Sequence, residues 1–320
     1  MTEMGYPYKS NKLRYRTYCA SNPGWLFIQD WWLDAVAGSQ WDVVLDERAD
    51  QIRGGWVFYR AKRFGLSYVT NAPLSPYQGV FFCYPADLSR KKRISYEHRV
   101  LSSLYKKLPR NFYLNQRFHP QVKNLLSLIW AGFSTQFRYT YVLTEIHLLD
   151  KLWDNLHPEA RRKIRKFEIA QNVKISSSEN PEIVYQLHRE SMRHNGHRLQ
   201  ISEPSLSKLD AALAKRKMRK IWIAVNDKRE VLGATYIVWF EGRAYYILGG
   251  VNRKLDHWGV SFALLWHAIK TLPRNIHTFD FEGSMVPGVE RVFRSFGAKQ
   301  EISAEIKRYK FPLHLMKIWR

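Results

Sequence analysis

TFDFEGSMVPGVERVFRSFGA, residues 278–298, holds a strand, a polar strand end, a capped helix and a glycine stop within one short segment. In Thr278-Phe279-Asp280-Phe281-Glu282 the aromatics alternate with acids, the period-two pattern of a strand with one apolar and one polar face, so Asp280 and Glu282 are expected to point the same way. Gly283-Ser284 breaks the strand. Pro287 suits the first turn of a helix, and Gly297 suits the left-handed position just past its end. Val289, Val292, Phe293 and Phe296 fall at helical spacing and form a core-facing stripe, which leaves Glu290, Arg291, Arg294 and Ser295 on the other side. Taken alone, the segment reads equally as an ordinary strand-turn-helix with solvated charges.

Composition narrows the setting. A chain of 320 residues exceeds one typical core, so two domains are expected, divided as residues 1–145 and 146–320. The formal charge of +23 implies attraction to phosphates, on a nucleotide cofactor, on RNA or on an anionic membrane surface, although a merely soluble basic protein has the same composition. With only Cys19 and Cys83 there is no disulfide framework, and a reducing, cytoplasmic location is the simpler expectation. The start, MTEMGYPYKSNKLRYR, lacks the apolar middle of a signal peptide, and Tyr236-Ile237-Val238-Trp239-Phe240 is far too short to span a bilayer, so any membrane contact is peripheral.

One pattern occurs twice. Trp41 to Leu45, a polar turn and Ile52 to Tyr59 read as a hairpin, with a third strand near Leu66 to Val69; Ile221 to Val225, the turn Asn226-Asp227-Lys228 and Val231 to Val238 repeat it, with a third strand near Ala244 to Leu248. Gly54 and Gly233, Tyr68 and Tyr246, and Gly79 and Gly259 share nearly one offset, which argues for two copies of one mixed domain. The first copy begins with a helix over Gln29 to Val36, ended by Gly38, and closes with the strand Tyr139 to Leu143. The tail reads as a strand, Ala304 to Lys310, and an amphipathic piece, Leu313 to Trp319, packing back on the first domain.

In the second half, Pro158 opens a helix through Phe167 with Glu159 in its first turn, bases beyond it, and Ala160, Ile164 and Phe167 on the buried side. Arg161 and Arg165, four apart, project together as an anion clamp or form a plain solvated face. His188, His194 and His197 fit no zinc spacing and read as surface residues.

The order helix, three strands, the helix opened by Gly259-Val260-Ser261-Phe262-Ala263-Leu264-Leu265, the strand FDFEG and the helix ending Phe296-Gly297-Ala298 resembles the GNAT acyltransferase fold. The doubled arrangement, with the basic stretch Arg161 to Lys166 ahead of the second copy, is similar to the FemABX group. The resemblance implies an α+β fold of two tandem GNAT-like domains, each a mostly antiparallel mixed sheet flanked by helices. It also implies transfer of an acyl or aminoacyl group to an amine by direct attack on a thioester or ester. Such chemistry needs a neutral amine, fixed donors for the developing oxyanion, and a carboxylate or ordered water for the proton.

Two departures from the ordinary GNAT pattern stand out. Where the pyrophosphate loop has Arg or Gln followed by glycines, this chain has Asp256, His257, Gly259, Val260 and Ser261, with Arg253 and Lys254 close by. Phe293 occupies the place of the tyrosine that protonates the leaving thiol, four residues before Gly297. Both fit the FemABX-like branch better, and acyl-CoA and aminoacyl-tRNA both remain as donors.

On this resemblance Asp280 and Glu282 are the expected catalytic carboxylates. Gly249, Gly250, Asn252, Arg253, Gly259 and Ser261 are expected to hold the donor; Arg161, Arg165, Arg291 and Arg294 are expected to receive acidic parts of donor or acceptor; no metal is expected. The first domain would bind the acceptor or be structural. Transfer from charged tRNA to a peptidoglycan precursor is the narrower reading. A non-catalytic nucleic-acid-binding protein on the same fold, with stacking aromatics in Arg60-Ala61-Lys62-Arg63-Phe64, is the alternative from another class. An esterase is disfavoured because no G-x-S-x-G elbow occurs.

Overall fold

The computed structural model describes residues 8–63, 65–109, 113–197, 199, 201–255, 259–283 and 285–309. They form two compact units: residues up to 138 together with those from Ile302 onward, and residues 139–301. The division falls at 138/139, where 145/146 was expected, and the stretch from Ile302 counts with the first unit. The expected amphipathic piece Leu313 to Trp319 lies outside the described residues, as do Asp256, His257, Ser284 and Phe64.

The first unit runs α1 (Tyr8–Ser21), α2 (Asp30–Ala37), β1 (Trp41–Arg48), β2 (Gln51–Arg63), β3 (Leu66–Thr70), β4 (Gly79–Phe82), α3 (Arg90–Lys107), β5 (Tyr113–Arg117), α4 (Leu126–Trp130) and the beginning of β6 (Ser134–Thr144). The β1–β2 hairpin closes on Ala49 and Asp50, both left-handed at φ 47° and 60°, a turn whose twist matches that of the paired strands. β3 continues antiparallel to β2, and β5 then lies parallel to β3, with Tyr68 opposite Tyr113. β4 pairs with Gly54 to Val57 of β2. Val44, Trp56, Phe58, Val100, Leu104 and Phe118 form the core, completed by Ala304 and Ile306.

The second unit takes the rest of β6 and runs α5 (Leu149–Asn155), α6 (Pro158–Glu168), β7 (Val173–Ser178), α7 (Pro181–His194), α8 (Glu203–Lys215), β8 (Arg219–Asn226), β9 (Val231–Phe240), β10 (Arg243–Val251), α9 (Val260–Lys270), β11 (Thr278–Asp280), α10 (Pro287–Arg294) and the start of β12 (Lys299–Tyr309). Its sheet has the order β6-β11-β10-β9-β8-β7; β10 and β11 are parallel and the other neighbours antiparallel. α6 opens on Pro158 with the His157 ring accepting from the Glu159 N–H, and buries Ala160, Ile164 and Phe167, the face its spacing predicts. α5 and α8 were not anticipated from the sequence.

Within each unit the same device seats a helix on a hairpin. The hairpin registers slip at Asp46/Glu47 and at Ala224/Val225, and Gly54 and Gly233 lie opposite Asp46 and Ala224. A Cβ on Gly54 would stand 2.8 Å from Val100 Cγ1 of α3, and one on Gly233 would stand 2.8 Å from Val260 Cγ1 of α9. Both glycines are therefore needed for close helix packing. Gly79 and Gly259 are not equivalent, contrary to the shared offset. Gly79 opens strand β4 against the Phe118 ring, whereas Gly259 precedes α9 at φ 86° against the Lys163 carbonyl.

Candidate functional site

β10 and β11 pair only from Arg243/Thr278 to Tyr245/Asp280, and β10 then runs on to Val251 without that neighbour. At the same place β10 carries a bulge: Tyr246 faces Ile237 and Leu248 faces Tyr236, so Ile247 is the extra residue. A bulge bends its strand and turns backbone groups out of the ladder. Two parallel strands thus part over a bulged edge, and Gly249, Gly250, Tyr246 and the chain after Asp280 lie around the parting.

Asp280 is fully buried, and its role in holding the strands is plain from its partners. Its Oδ2 accepts from Arg243 Nη2 at 2.7 Å, and its Oδ1 accepts from Thr140 Oγ1 at 2.6 Å and from the Glu282 backbone N–H at 2.8 Å. Arg243 also approaches Glu301, at 3.5 Å. One carboxylate therefore ties β6, β10 and the turn after β11 together. Although burial opposes the charged guanidinium, the carboxylate beside it holds the Arg243 pKa above its ordinary value.

Strand β11 ends at Asp280, so the alternation does not extend to Glu282 as expected. Glu282 is left-handed at φ 59°, and Phe281 between the acids is buried with Phe279 against Phe293 and Phe296. The acids consequently differ in setting: Asp280 is sealed within the sheet between β6 and β10, and Glu282 is half-buried on the turn. Gly283, at φ 69°, is pressed against the Tyr139 carbonyl, which explains the glycine there.

Tyr246 is the site residue that sequence reasoning missed. Its ring stands edge-on to Phe293, with centroids 5.9 Å apart, and its hydroxyl fills the space a side chain on Gly249 would need. Burial, then the Glu282 carboxylate, pushes its phenol up to about 12, so it stays protonated at neutral pH. A phenol thus lies beside the position where Phe293 replaces the expected tyrosine. An aromatic pair directly before Ile247, Leu248, Gly249 and Gly250 was its only signal.

The remaining expected residues divide. Gly250 admits α7, since a Cβ would come 2.5 Å from the Leu187 carbonyl, and His188 on α7 donates from Nδ1 to the Gly249 carbonyl at 3.1 Å. His188 is therefore part of the strand-end support and not a surface-loop histidine; burial lowers its pKa. Asn252 shapes the turn, its Oδ1 accepting from the Lys254 N–H at 3.1 Å, while Arg253 is exposed. Gly259 begins α9, and Ser261 is exposed in its first turn. Arg161 and Arg165 do project together, lining a shallow depression with Arg162 and Lys166. Arg291 is exposed, whereas Arg294 is ion-paired at 2.9 Å to Glu290, whose Oε1 accepts from Tyr141 Oη at 2.6 Å. Among the described residues no group of His, Cys, Asp and Glu could hold a metal ion. None of the described helices is long and apolar enough to cross a membrane.

Residues 156–292 match the family model described as an acetyltransferase (GNAT) domain. Among solved structures, a crystal structure of FemX is similar with a TM-score of 0.66 at 12% identity, covering 99% of this chain and 100% of that one. L-PGS from Bacillus licheniformis is similar with a TM-score of 0.56 at 11% identity, covering 98% and 97%. A tandem GNAT protein from the clavulanic acid biosynthesis pathway is similar with a TM-score of 0.52 at 10% identity, covering 93% and 94%. No curated protein matches the chain. The family match thus covers residues 156–292, and the structural likenesses extend the shared fold over the whole chain.

Proposed function

We propose that the protein is an N-acyltransferase that moves an acyl or aminoacyl group from an activated donor to an amine where β10 and β11 part. The observation that carries this reading is the coincidence, at one strand end, of the parting, the Ile247 bulge, a carboxylate and a protonated phenol. The amine nitrogen attacks the donor carbonyl, forming the C–N bond, and the oxyanion is met by backbone N–H groups past the bulge. Glu282 takes the amine proton, directly or through water, and Tyr246 gives its proton to the departing oxygen or sulfur. Asp280, with its oxygens committed to Arg243, Thr140 and the Glu282 N–H, positions these groups.

Tyr246 serves a thioester or an ester donor alike, so the donor class is argued from charge: +23 suits the phosphate-rich aminoacyl-tRNA. Gly259, Ser261, Arg253 and the Arg161/Arg165 pair would meet donor phosphates, Arg291 an acidic part of the acceptor, and peripheral contact with an anionic membrane suits the same charge.

The test incubates the full-length protein with acetyl-CoA, longer acyl-CoA species and aminoacyl-tRNA in turn, each with a panel of amines. Acylated amine is detected by mass spectrometry and free thiol by colour. Product from one donor class, abolished in Tyr246→Phe and Glu282→Gln, is expected. No product and no thermal shift with every donor would sink the proposal.

A further inference from the structure

We infer that the α3–α4 face of the first unit is a docking surface for an anionic phospholipid bilayer. Ile94, His98 and Ser102 lie four apart along one stripe of α3, and α4 is fastened beside them. His98 Nδ1 and Ser127 Oγ are 2.5 Å apart, the His98 ring is stacked on Trp130 at a centroid distance of 5.2 Å, and Asn124 Nδ2 donates to the Ile94 carbonyl at 3.4 Å. This fastening holds large apolar side chains outward: Trp130 is 73% exposed, Ile94 59%, and Leu126 and Ile129 47% each. Between the two helices lies an open cleft of about 560 Å³, lined by His98, Arg99, Tyr105, Lys106 and Trp130 among others.

The charge on this face is of one sign. α3, RKKRISYEHRVLSSLYKK, has seven bases and one acid, and that acid, Glu97, is taken up by Arg93 at 3.2 Å and Tyr84 at 2.7 Å. α4, LSLIW, has no charged residue. Bases flanking exposed aliphatic side chains and one tryptophan suit the boundary between anionic headgroups and acyl chains. Bases draw the face to the surface, the indole settles at headgroup depth, and the aliphatic tips enter the apolar layer. An RNA partner fits less well, because Ile94, Leu126 and Ile129 offer no stacking plane. The surface does not depend on acyl transfer, so its failure and failure of the catalytic reading are distinguishable.

Co-sedimentation of the full-length protein with vesicles of phosphatidylcholine alone, and of equal parts phosphatidylcholine and phosphatidylglycerol, tests the inference. Binding is expected only to the anionic vesicles. Arg99→Glu with Lys106→Glu should weaken it at least about twentyfold, taking each lost cation as about fivefold. Trp130→Ala should weaken it about tenfold. Lys228→Glu with Arg229→Glu makes the same charge change on the β8–β9 turn of the second unit and should weaken binding less than about threefold. A thermal melt checks each variant, and should Trp130→Ala fail to fold, the surface pair Arg99/Lys106 still decides. Equal loss in the two charge-reversed pairs, equal binding to neutral vesicles, or binding through this face to RNA but not to vesicles would overturn it.

Discussion

Each unit has a strand lying parallel to the third strand of its meander, and each such strand has a fully buried polar residue: Gln116 on β5 and Asp280 on β11. Gln116 accepts from Trp56 Nε1 at 2.6 Å and donates to the Val57 and Thr70 carbonyls at 2.9 and 3.3 Å. These bonds fasten strands without introducing charge. Asp280 fastens strands as well, but through an ion pair with Arg243, and it also holds the turn bearing Glu282. A buried polar residue does a scaffold's work in the first unit, and another organises a charged strand end in the second. Similar topology, then, does not make the two units alike in chemistry.

The comparison breaks most sharply if Glu282 is inert. Glu282→Gln keeps the size and the left-handed turn, and should cut acyl transfer about 100-fold to 10,000-fold with the unfolding midpoint almost unchanged, as steady-state rates beside urea denaturation would show. If turnover holds while stability drops, Glu282 belongs with Gln116 as scaffold.

Next comes the difference between charge and amide. Asp280→Ala leaves Arg243 buried beside a more distant Glu301 and should cost about 3–5 kcal/mol. Gln116→Ala orphans one indole N–H and two carbonyls and should cost about 1–3 kcal/mol. Equilibrium denaturation of both variants checks the order, and equal losses would remove the contrast.

A smaller effect sharpens the packing equivalence. Gly54→Ala would set a Cβ 2.7 Å from the Phe81 carbonyl, which is fixed backbone, whereas Gly233→Ala meets first a Val260 methyl at 2.8 Å. Both should lower stability by about 1–3 kcal/mol, with Gly54→Ala the worse. Thermal melts of the pair would show whether the two helix seats are the same device.

The smallest effect concerns Glu290. The hydrogen bond from Tyr141, then that from Arg294, holds its carboxyl below the ordinary 4.5. A depressed carboxyl contributes stability above its unfolded pKa and loses it as pH falls through the folded value, so this contribution fades on acidification below about 4.5. Tyr141→Phe should flatten that acid limb in denaturation curves taken between neutral and acid pH.

The hairpins, the capped α6, the α9 start and the Gly297 stop were legible because each is written locally, in alternation, proline and glycine. Phe293 was legible as a departure for the same reason. The Asp280–Arg243–Thr140 cluster was not, because its members stand 37 and 140 residues from Asp280 and no periodicity joins them. Alternation also placed Glu282 on the wrong footing: the Asp280 carboxylate captures the Glu282 N–H and ends the strand, a side-chain competition that a pattern of apolar and polar letters does not register. His188 looked like loop polarity, yet the carbonyl that fixes it is Gly249, 61 residues away.

The first unit is also discontinuous along the chain: its β5 is paired by Glu305 to Tyr309 of β12, and its core includes Ala304 and Ile306. On a ribosome, the whole of residues 139–301 emerges before that strand does. The second unit can therefore fold without that strand, while the first waits with the edge of β5 and an apolar gap open until residues 302–309 arrive. A released chain truncated just after residue 301 would be protected from protease over its later half and cut in its earlier one, reversing the usual order in which a translated protein matures.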